Sequence, residues 1–207
     1  MGSSFIKAPL YVPLCEESEY YNQFAYAPQR NIQEFMERIM FQNGVRWSIS
    51  GYLENRATIL KDYPQMVLEG RLYHLGIDIN APCGTGLFVP CDCEVAVSKY
   101  EEGQGNYGGL TVLKCKIPYA GMVYLLFGHL NPEKLPSVGS KLPKGIEFAQ
   151  IGDMDQNGNW FYHTHLQVLT QKAFDEGWVS KGYCRESEII LLNKYCPNPL
   201  DILGFPE

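Results

Sequence analysis

The sequence contains no long apolar run, and its N-terminus does not have the basic start and apolar core of a signal peptide. Pro9, Pro13 and the acidic residues from Glu16 onwards interrupt the first segment early. No stretch approaches the roughly 20 apolar residues that a membrane-spanning helix requires. The sequence therefore predicts no membrane partner, and a protein that is cytoplasmic or exported without an N-terminal signal peptide.

A cluster of basic residues is also missing. The chain has 17 Lys and Arg residues against 23 Asp and Glu residues, which gives a formal net charge of -6. The basic side chains form no group that could follow a phosphate backbone. This pattern argues against nucleic acid as a partner.

The cysteines do not form a disulfide pattern. The chain has an odd number of them without a CxxC pair: Cys15, Cys83, Cys91, Cys93, Cys115, Cys184 and Cys196. This set favours reduced, mostly buried thiols over a disulfide framework. The alternative is a soft-metal site at Cys91 and Cys93, with Cys83 nearby.

One segment near the N-terminus has a helical pattern. Apolar residues recur at helical spacing and predict an amphipathic helix over about residues 31 to 43: Ile32, Phe35, Met36, Ile39 and Met40. Asn31, with Glu34 three residues later, fits a capped start, and Gly44 fits the end of the helix. We expect the rest of the first 30 residues to form an irregular arm.

From about residue 71 to residue 168, short β-rich runs are separated by Gly and Pro, which predicts a mainly antiparallel β domain. Residues 82–97 and 136–152 share a loose turn and strand pattern that suggests two related hairpin units. The predicted division is an N-terminal extension (1–65), the β domain (66–172) and a C-terminal extension (173–207). We expect the last segment to pack on the domain, because its apolar residues require burial.

The chain has only four histidines, and two of them form an HTH motif. His163 and His165 would share one face of a strand, about 7 Å apart along the backbone. Two imidazoles can therefore face one cleft, although the spacing does not tell which of them binds a metal. Taken singly, a histidine in a β-rich segment is an ordinary core or surface residue. A structural β protein with incidental histidines is thus one reading, and it predicts no bound metal.

His74 and Asp78 form a second candidate pair. On a straight strand they would lie about 13 Å apart, too far for both to reach one zinc ion at about 2 Å. Gly76 permits a bend between them, and the β-branched Ile77 and Ile79 argue against a helix.

Two histidines and one carboxylate leave room for water on a zinc ion, which is the hydrolytic pattern. Zinc would lower the pKa of that water and polarise the carbonyl under attack. Asp92 and Asp153 are alternative carboxylates, but neither has a histidine at close spacing.

Three motifs in order, HLGID (74–78), GHL (128–130) and HTH (163–165), resemble those of the lysostaphin-type (LytM-like) zinc metallopeptidases. The resemblance implies that His74, Asp78 and His165 bind Zn²⁺. It also implies that His129 and His163 are catalytic: they activate the water and stabilise or protonate the tetrahedral intermediate. The fold that it implies is a β domain of the duplicated hybrid (barrel-sandwich) type, to which the two hairpin units correspond.

We expect the protein to be a zinc-dependent metallo-endopeptidase that hydrolyses a Gly-rich or peptidoglycan-type peptide. Its expected partner is that peptide substrate. The alternative is a non-catalytic, zinc-binding regulatory or interaction module of the same fold. The sequence singles out no substrate-binding residue and no oligomeric state. GYLENRATIL (51–60) and CPNPLDILGF (196–205) are similar to the flanks of a subgroup that lacks a secretion signal.

Overall fold

The structure is a computed structural model that describes residues 8–203. The strands are β1 to β12 in chain order: Leu10–Tyr11, Ser48–Ser50, Tyr73–His74, Ile77–Asn80, Gly86–Phe88, Cys93–Glu101, Gly108–Ile117, Gly121–Leu130, Lys141–Leu142, Glu147–Gln150, His163–Thr170 and Tyr183–Cys184. The α-helices are α1 to α6: Tyr21–Phe24, Gln29–Gln42, Pro64–Leu68, Gln171–Asp175, Leu192–Tyr195 and Pro199–Leu203. Short 3₁₀ helices cover Leu60–Asp62, Pro132–Lys134, Trp178–Ser180 and Glu186–Leu191.

An eight-stranded sheet forms the centre of the protein, in the order β1-β2-β4-β11-β8-β7-β6-β9. Only β1 and β2 pair in parallel among these neighbours, and the other pairs are antiparallel. Two further two-stranded antiparallel sheets join β5 to β10 and β3 to β12. The prediction of a mainly antiparallel β protein with an N-terminal helix is confirmed.

The two predicted hairpin units pair with each other. In the first unit β5 precedes β6, and in the second β9 precedes β10. The outer pairing joins β5 to β10, and the inner pairing joins β6 to β9. Each unit thus supplies one strand to each pairing. A core of apolar side chains from β6, β7, β8 and β11 lies beneath them, with Val95, Leu113, Leu125 and Val168 at its centre.

The predicted amphipathic helix is present as α2, and it buries Ile32, Phe35, Met36 and Met40. Gly44 follows it with a φ of +63°, as expected for a residue that ends a helix. The predicted Asn31 cap is wrong, because the helix begins at Gln29, directly after Pro28. Gln29 and Gln33 accept hydrogen bonds from the backbone N–H groups of Phe161 and Tyr162, which holds the additional first turn in place.

Both extensions pack on the β domain. The side of α2 that carries Phe35 shares a core with Trp160 and Phe161, and the C-terminal Leu200 and Ile202 pack against the main β core. The N-terminal arm is less irregular than expected, because it contains β1 and α1. Residues 1–7 of that arm and residues 204–207 lie outside the described residues. The division of the chain at residues 65 and 172 stays a prediction.

One pair of cysteines departs from the expectation of reduced thiols. Cys93 and Cys115 lie directly opposite each other on β6 and β7 and form a disulfide. Strand register, which spacing in the sequence does not reveal, brings them together. The free thiols are Cys15, Cys83, Cys91, Cys184 and Cys196, of which the last two are buried.

Between residues 8 and 203, every helix is too short or too polar to cross a bilayer.

Candidate metal centre and catalytic cleft

Four strands carry the five predicted site residues, and three of these strands, β4, β11 and β8, are adjacent in the central sheet. In the central sheet, β11 lies between β4 and β8, and His165 stands opposite Asp78 on one side and Gly128 on the other. His74 lies on β3, which pairs with β12 instead. The chain leaves one sheet at His74 and enters the other at Ile77, so the bend that the spacing requires is present between them.

Gly76 occupies this bend because no side chain fits there. A Cβ at this position would lie 2.4 Å from the carbonyl oxygen of Leu166 and 2.8 Å from Cε1 of His165. Only glycine allows β4 to approach β11 this closely. The same close approach brings His74 beside His165.

One ligand atom from each of three residues meets at a single point. His74 Nε2 lies 2.7 Å from His165 Nδ1 and 3.2 Å from Asp78 Oδ1, and His165 Nδ1 lies 3.5 Å from that oxygen. All three side chains are buried. Ligands at about 2.0–2.1 Å in a tetrahedral zinc site are separated by about 3.3 Å, so these distances suit one small cation.

Neighbouring groups fix the tautomer of each of these two histidines. His74 Nδ1 lies 3.2 Å from the carbonyl oxygen of Gly51, and His165 Nε2 lies 3.0 Å from Oε1 of Gln167. Both oxygens are acceptors, so these ring nitrogens carry the hydrogen. The opposite nitrogens, His74 Nε2 and His165 Nδ1, therefore present lone pairs to each other and to the carboxylate. A cation satisfies such a meeting of three acceptors, and the donor set is one that zinc prefers.

Arg56 and Glu54 complete the surroundings of Asp78, and the sequence interpretation missed both. Arg56 forms buried ion pairs with Oδ2 of Asp78 and, at 2.9 Å, with Oε2 of Glu54. Oδ1 of Asp78 is left buried without a hydrogen-bond partner among residues 8–203. The three side chains carry a formal charge of -1 in total, which a bound cation would offset. The sequence signal was a Glu and an Arg within the GYLENRATIL stretch, which has no other charged residue.

Burial and charge set the protonation of the centre. Burial alone would raise the pKa of Asp78, but Arg56 and the neighbouring histidines together outweigh it and hold that pKa well below its usual range. Burial, followed by the charge of Arg56, lowers the pKa of His74 to about 3. At neutral pH the site therefore holds a carboxylate and a neutral imidazole, the forms that bind metal.

His129 and His163 lie beside this centre with their tautomers also fixed. Their Nδ1 atoms lie 2.8 Å from the carbonyl oxygen of Asn157 and 2.7 Å from that of Phe161, respectively. Each Nδ1 thus carries the hydrogen and each Nε2 carries a lone pair. The two rings are 4.4 Å apart, and His163 Nε2 lies 3.6 Å from Asp78 Oδ1. Burial lowers the pKa of both histidines, so both are neutral bases at neutral pH.

His129 has an unusual backbone conformation, with a φ of +62°. Its N–H donates to the carbonyl oxygen of Tyr107 over 2.7 Å, and its carbonyl oxygen accepts from Gly152 N–H over 2.9 Å. The surrounding strands thus hold His129 in a backbone conformation that is uncommon for residues other than Gly or Asn. Strained residues of this kind concentrate at functional sites.

A cavity of about 180 Å³ opens onto all five predicted residues. Its wall includes Arg56 and Ile59 from the N-terminal extension, and Ser180 and Tyr183 from the C-terminal extension. Ligand pockets for drug-sized molecules are larger, about 300–1,000 Å³. Both extensions therefore narrow the space in front of the metal centre.

Tyr107 also lines the cavity and was missed from the sequence. Its ring lies 5.6 Å from that of His165, and its buried hydroxyl has no hydrogen-bond partner among the described residues. The carboxylates of Asp92 and Asp153 are not part of the site. Asp92 accepts from the backbone N–H of Lys144, and Asp153 accepts from the hydroxyl of Tyr162.

No protein-family model and no curated protein matches this sequence. Solved structures do resemble it. The catalytic domain of the antimicrobial peptidase lysostaphin from Staphylococcus simulans has 16% identity and a TM-score of 0.44, covering 64% of this chain and 80% of that one. The catalytic domain of a variant of the prophage-encoded M23 protein EnpA from Enterococcus faecalis has 18% identity and a TM-score of 0.40, covering 55% and 75%.

A zinc-containing peptidase from Vibrio cholerae has 22% identity and a TM-score of 0.38, covering 47% of this chain and 27% of that one. Lysostaphin, after which the family suggested by the histidine motifs is named, is thus among the similar structures. At these identities and TM-scores the likeness carries no conclusion about the activity of this chain. The metal centre and the cleft are defined by their own contacts.

Proposed function

We propose that this protein is a zinc-dependent metallo-endopeptidase that hydrolyses an amide bond of a short Gly-rich or peptidoglycan-type peptide. The observation that carries the proposal is the meeting of three buried acceptor atoms, His74 Nε2, Asp78 Oδ1 and His165 Nδ1. Acceptor oxygens of the protein, which take the N–H on the far side of each histidine, orient these atoms. Zinc held by these residues would supply Lewis acidity, which lowers the pKa of water and polarises a carbonyl group.

The two remaining histidines provide the proton transfer. His163 is the nearer to the metal centre, since its Nε2 lies 3.6 Å from Asp78 Oδ1, and we assign to it the removal of the proton from the attacking water. His129 faces it with ring centroids 4.4 Å apart and carries that proton on to the leaving amine. The hydroxyl of Tyr107 is a free donor for the developing oxyanion.

The size of the cavity supports a slender substrate. At about 180 Å³ the cavity is smaller than the pockets that take drug-sized molecules, which favours an extended backbone with small side chains, such as glycine or alanine. This restriction is consistent with Gly-rich and wall-type peptides.

The test compares His163→Ala and His129→Ala with the native protein, using pentaglycine and muropeptides as substrates and metal analysis as a second readout. We expect each variant to retain one equivalent of zinc and to lose at least about 100-fold in turnover, the usual effect of removing a general acid or base. His165→Ala should lose the zinc itself. Turnover that persists in both His129→Ala and His163→Ala would contradict the assigned roles.

The narrow cavity also favours a second candidate, a zinc-binding module without turnover, because side chains from both extensions occupy part of the cleft wall. Such a module would bind zinc stoichiometrically and hydrolyse neither substrate. The same two measurements therefore separate the two functions.

A further inference from the structure

A second group of potential ligands lies near the start of β6 and the end of β7, apart from the cluster of His74, Asp78 and His165. The sulfur atoms of Cys91, Cys93 and Cys115 all lie within 4.8 Å of one another. Cys93 and Cys115 form the disulfide between β6 and β7, and the free thiol of Cys91 lies 3.8 Å from the Cys93 sulfur. The disulfide accounts for two of these sulfurs, but not for the third.

The position of Cys91 is fixed by the fold. It lies in the bend that connects β5 to β6, and the loop between β9 and β10 holds that bend from the other side. Val89 N–H donates to the carbonyl oxygen of Ile146, Gly145 N–H donates to that of Val89, and Lys144 N–H donates to Asp92 Oδ1. These backbone hydrogen bonds therefore fix the position of Cys91, the residue that carries the third sulfur.

We propose that Cys91, Cys93 and Cys115 form a second metal site, which takes a soft, thiolate-preferring cation such as Zn²⁺, Cd²⁺ or Cu⁺ when the disulfide is reduced. The separation of 3.8 Å between the Cys91 and Cys93 sulfurs matches the edge of a tetrahedron with metal–sulfur bonds of about 2.3 Å. Reduction by a phosphine or dithiol adds two electrons and two protons to the disulfide, and the freed sulfurs can then separate to a similar distance.

The surroundings suit such a site. Cys93 and Cys115 are buried against the apolar β core, whereas Cys91 is partly exposed and gives an ion a path of entry. Burial and the adjacent Asp92 raise the pKa of the Cys91 thiol. A metal cation displaces the thiol proton directly, without any change in oxidation state.

Cadmium titration of the full chain tests this proposal, because thiolate-to-cadmium charge transfer absorbs in the near ultraviolet and binding by His and Asp does not. After reduction with a phosphine and removal of the reductant under argon, we expect one equivalent of Cd²⁺ to produce the band. Cys91→Ser should weaken this binding by more than about tenfold. The exposed Cys83→Ser should leave it unchanged, and so should His165→Ala.

Two further measurements complete the test. The oxidised protein, with its disulfide intact, should give no band, and far-ultraviolet circular dichroism should show that Cys91→Ser keeps the native fold. A reduced native chain without the band would overturn the proposal. So would a band that is undiminished in Cys91→Ser, or one that disappears in Cys83→Ser.

Discussion

At the scale of single residues, the two carboxylate oxygens of Asp78 have different surroundings. Oδ2 is paired with Arg56, and Oδ1 faces His74 and His165. The guanidinium thus orients the carboxylate so that one oxygen remains available for the cation. Arg56 is a positioning residue, since it contacts the carboxylate of Asp78 and would not itself bind the metal.

Arg56→Met tests this positioning. The change leaves the carboxylates of Asp78 and Glu54 buried without their cation, so we expect a loss of about 3–5 kcal/mol in the free energy of unfolding. Zinc affinity should fall by about 10–100-fold, as for other residues that orient a ligand. Urea unfolding of the metal-free protein and a competitive zinc titration measure the two effects. Arg71→Met is the control, because Arg71 pairs with Glu69 near the surface and should change stability by no more than about 1 kcal/mol.

Tyr107→Phe should separate stability from activity. The hydroxyl is buried without a partner, so its removal should stabilise the fold slightly, by up to about 1 kcal/mol. Turnover should fall by about 100- to 1,000-fold if this hydroxyl donates to the oxyanion. Thermal unfolding and peptide hydrolysis are the readouts. Tyr124→Phe, which loses a hydrogen bond to Gln171 remote from the cleft, should do the reverse: lower stability with unchanged turnover.

At the scale of elements, helix α2 links the N-terminal extension to the cleft. Its buried face packs against Trp160 and Phe161, and both of these residues also line the cavity. Phe161 further supplies the carbonyl oxygen that orients His163. The helix therefore supports the segment that leads into β11, the strand that carries the HTH motif.

Phe35→Ala tests this support. Phe35 is 2% exposed, and its truncation should lower the free energy of unfolding by about 3–5 kcal/mol through the cavity it leaves. Turnover should also decrease, because the Trp160–Phe161 segment loses its backing. Phe41→Ala, on the exposed face of the same helix at 86% exposure, should stay within about 0.5 kcal/mol of the native protein. Equal losses in the two variants would show that α2 does not pack as described.

The limits of prediction from sequence are also clearest at this scale. The helical spacing of the apolar residues Ile32, Phe35 and Met36 predicted the helix, since burial of one helix face depends on local spacing. Its first turn was missed because Gln29 bonds to the backbone near Phe161, more than 100 residues away. The pairing of Cys93 with Cys115 depends on register between strands in the same way. Contacts between residues that are distant in the chain produce no repeating pattern in the local sequence, so the sequence does not reveal them.

At the scale of the whole molecule, the candidate centre combines strands from two sheets with a buried ion network from the N-terminal extension. The resemblance of the three motifs implied that His74, Asp78 and His165 come together, and strand geometry showed that this requires a bend, which Gly76 permits. Arg56 was not foreseen, since a sequence does not reveal that a charged side chain is buried.

Binding of zinc should stabilise the molecule as a whole, because the three ligands come from two separate sheets and meet only in the folded chain. A free zinc concentration 100 times the dissociation constant adds about 2.7 kcal/mol to the free energy of unfolding. For a chain of this size that corresponds to an increase in Tm of roughly 5–10 °C. The oxidised protein is the material to use, because its disulfide keeps the cysteine cluster from contributing.

The control variants decide where this stabilisation originates. His165→Ala should melt at the same temperature with zinc as with a chelator, while Asp92→Asn, which lies outside the centre, should keep the full increase. Because linkage requires binding to the native state alone, an equal increase in His165→Ala would place the zinc elsewhere on the protein. Without an increase in the native protein, the His74, Asp78 and His165 cluster would be an ordinary buried polar group, and the proposed hydrolase would have no metal on which to act.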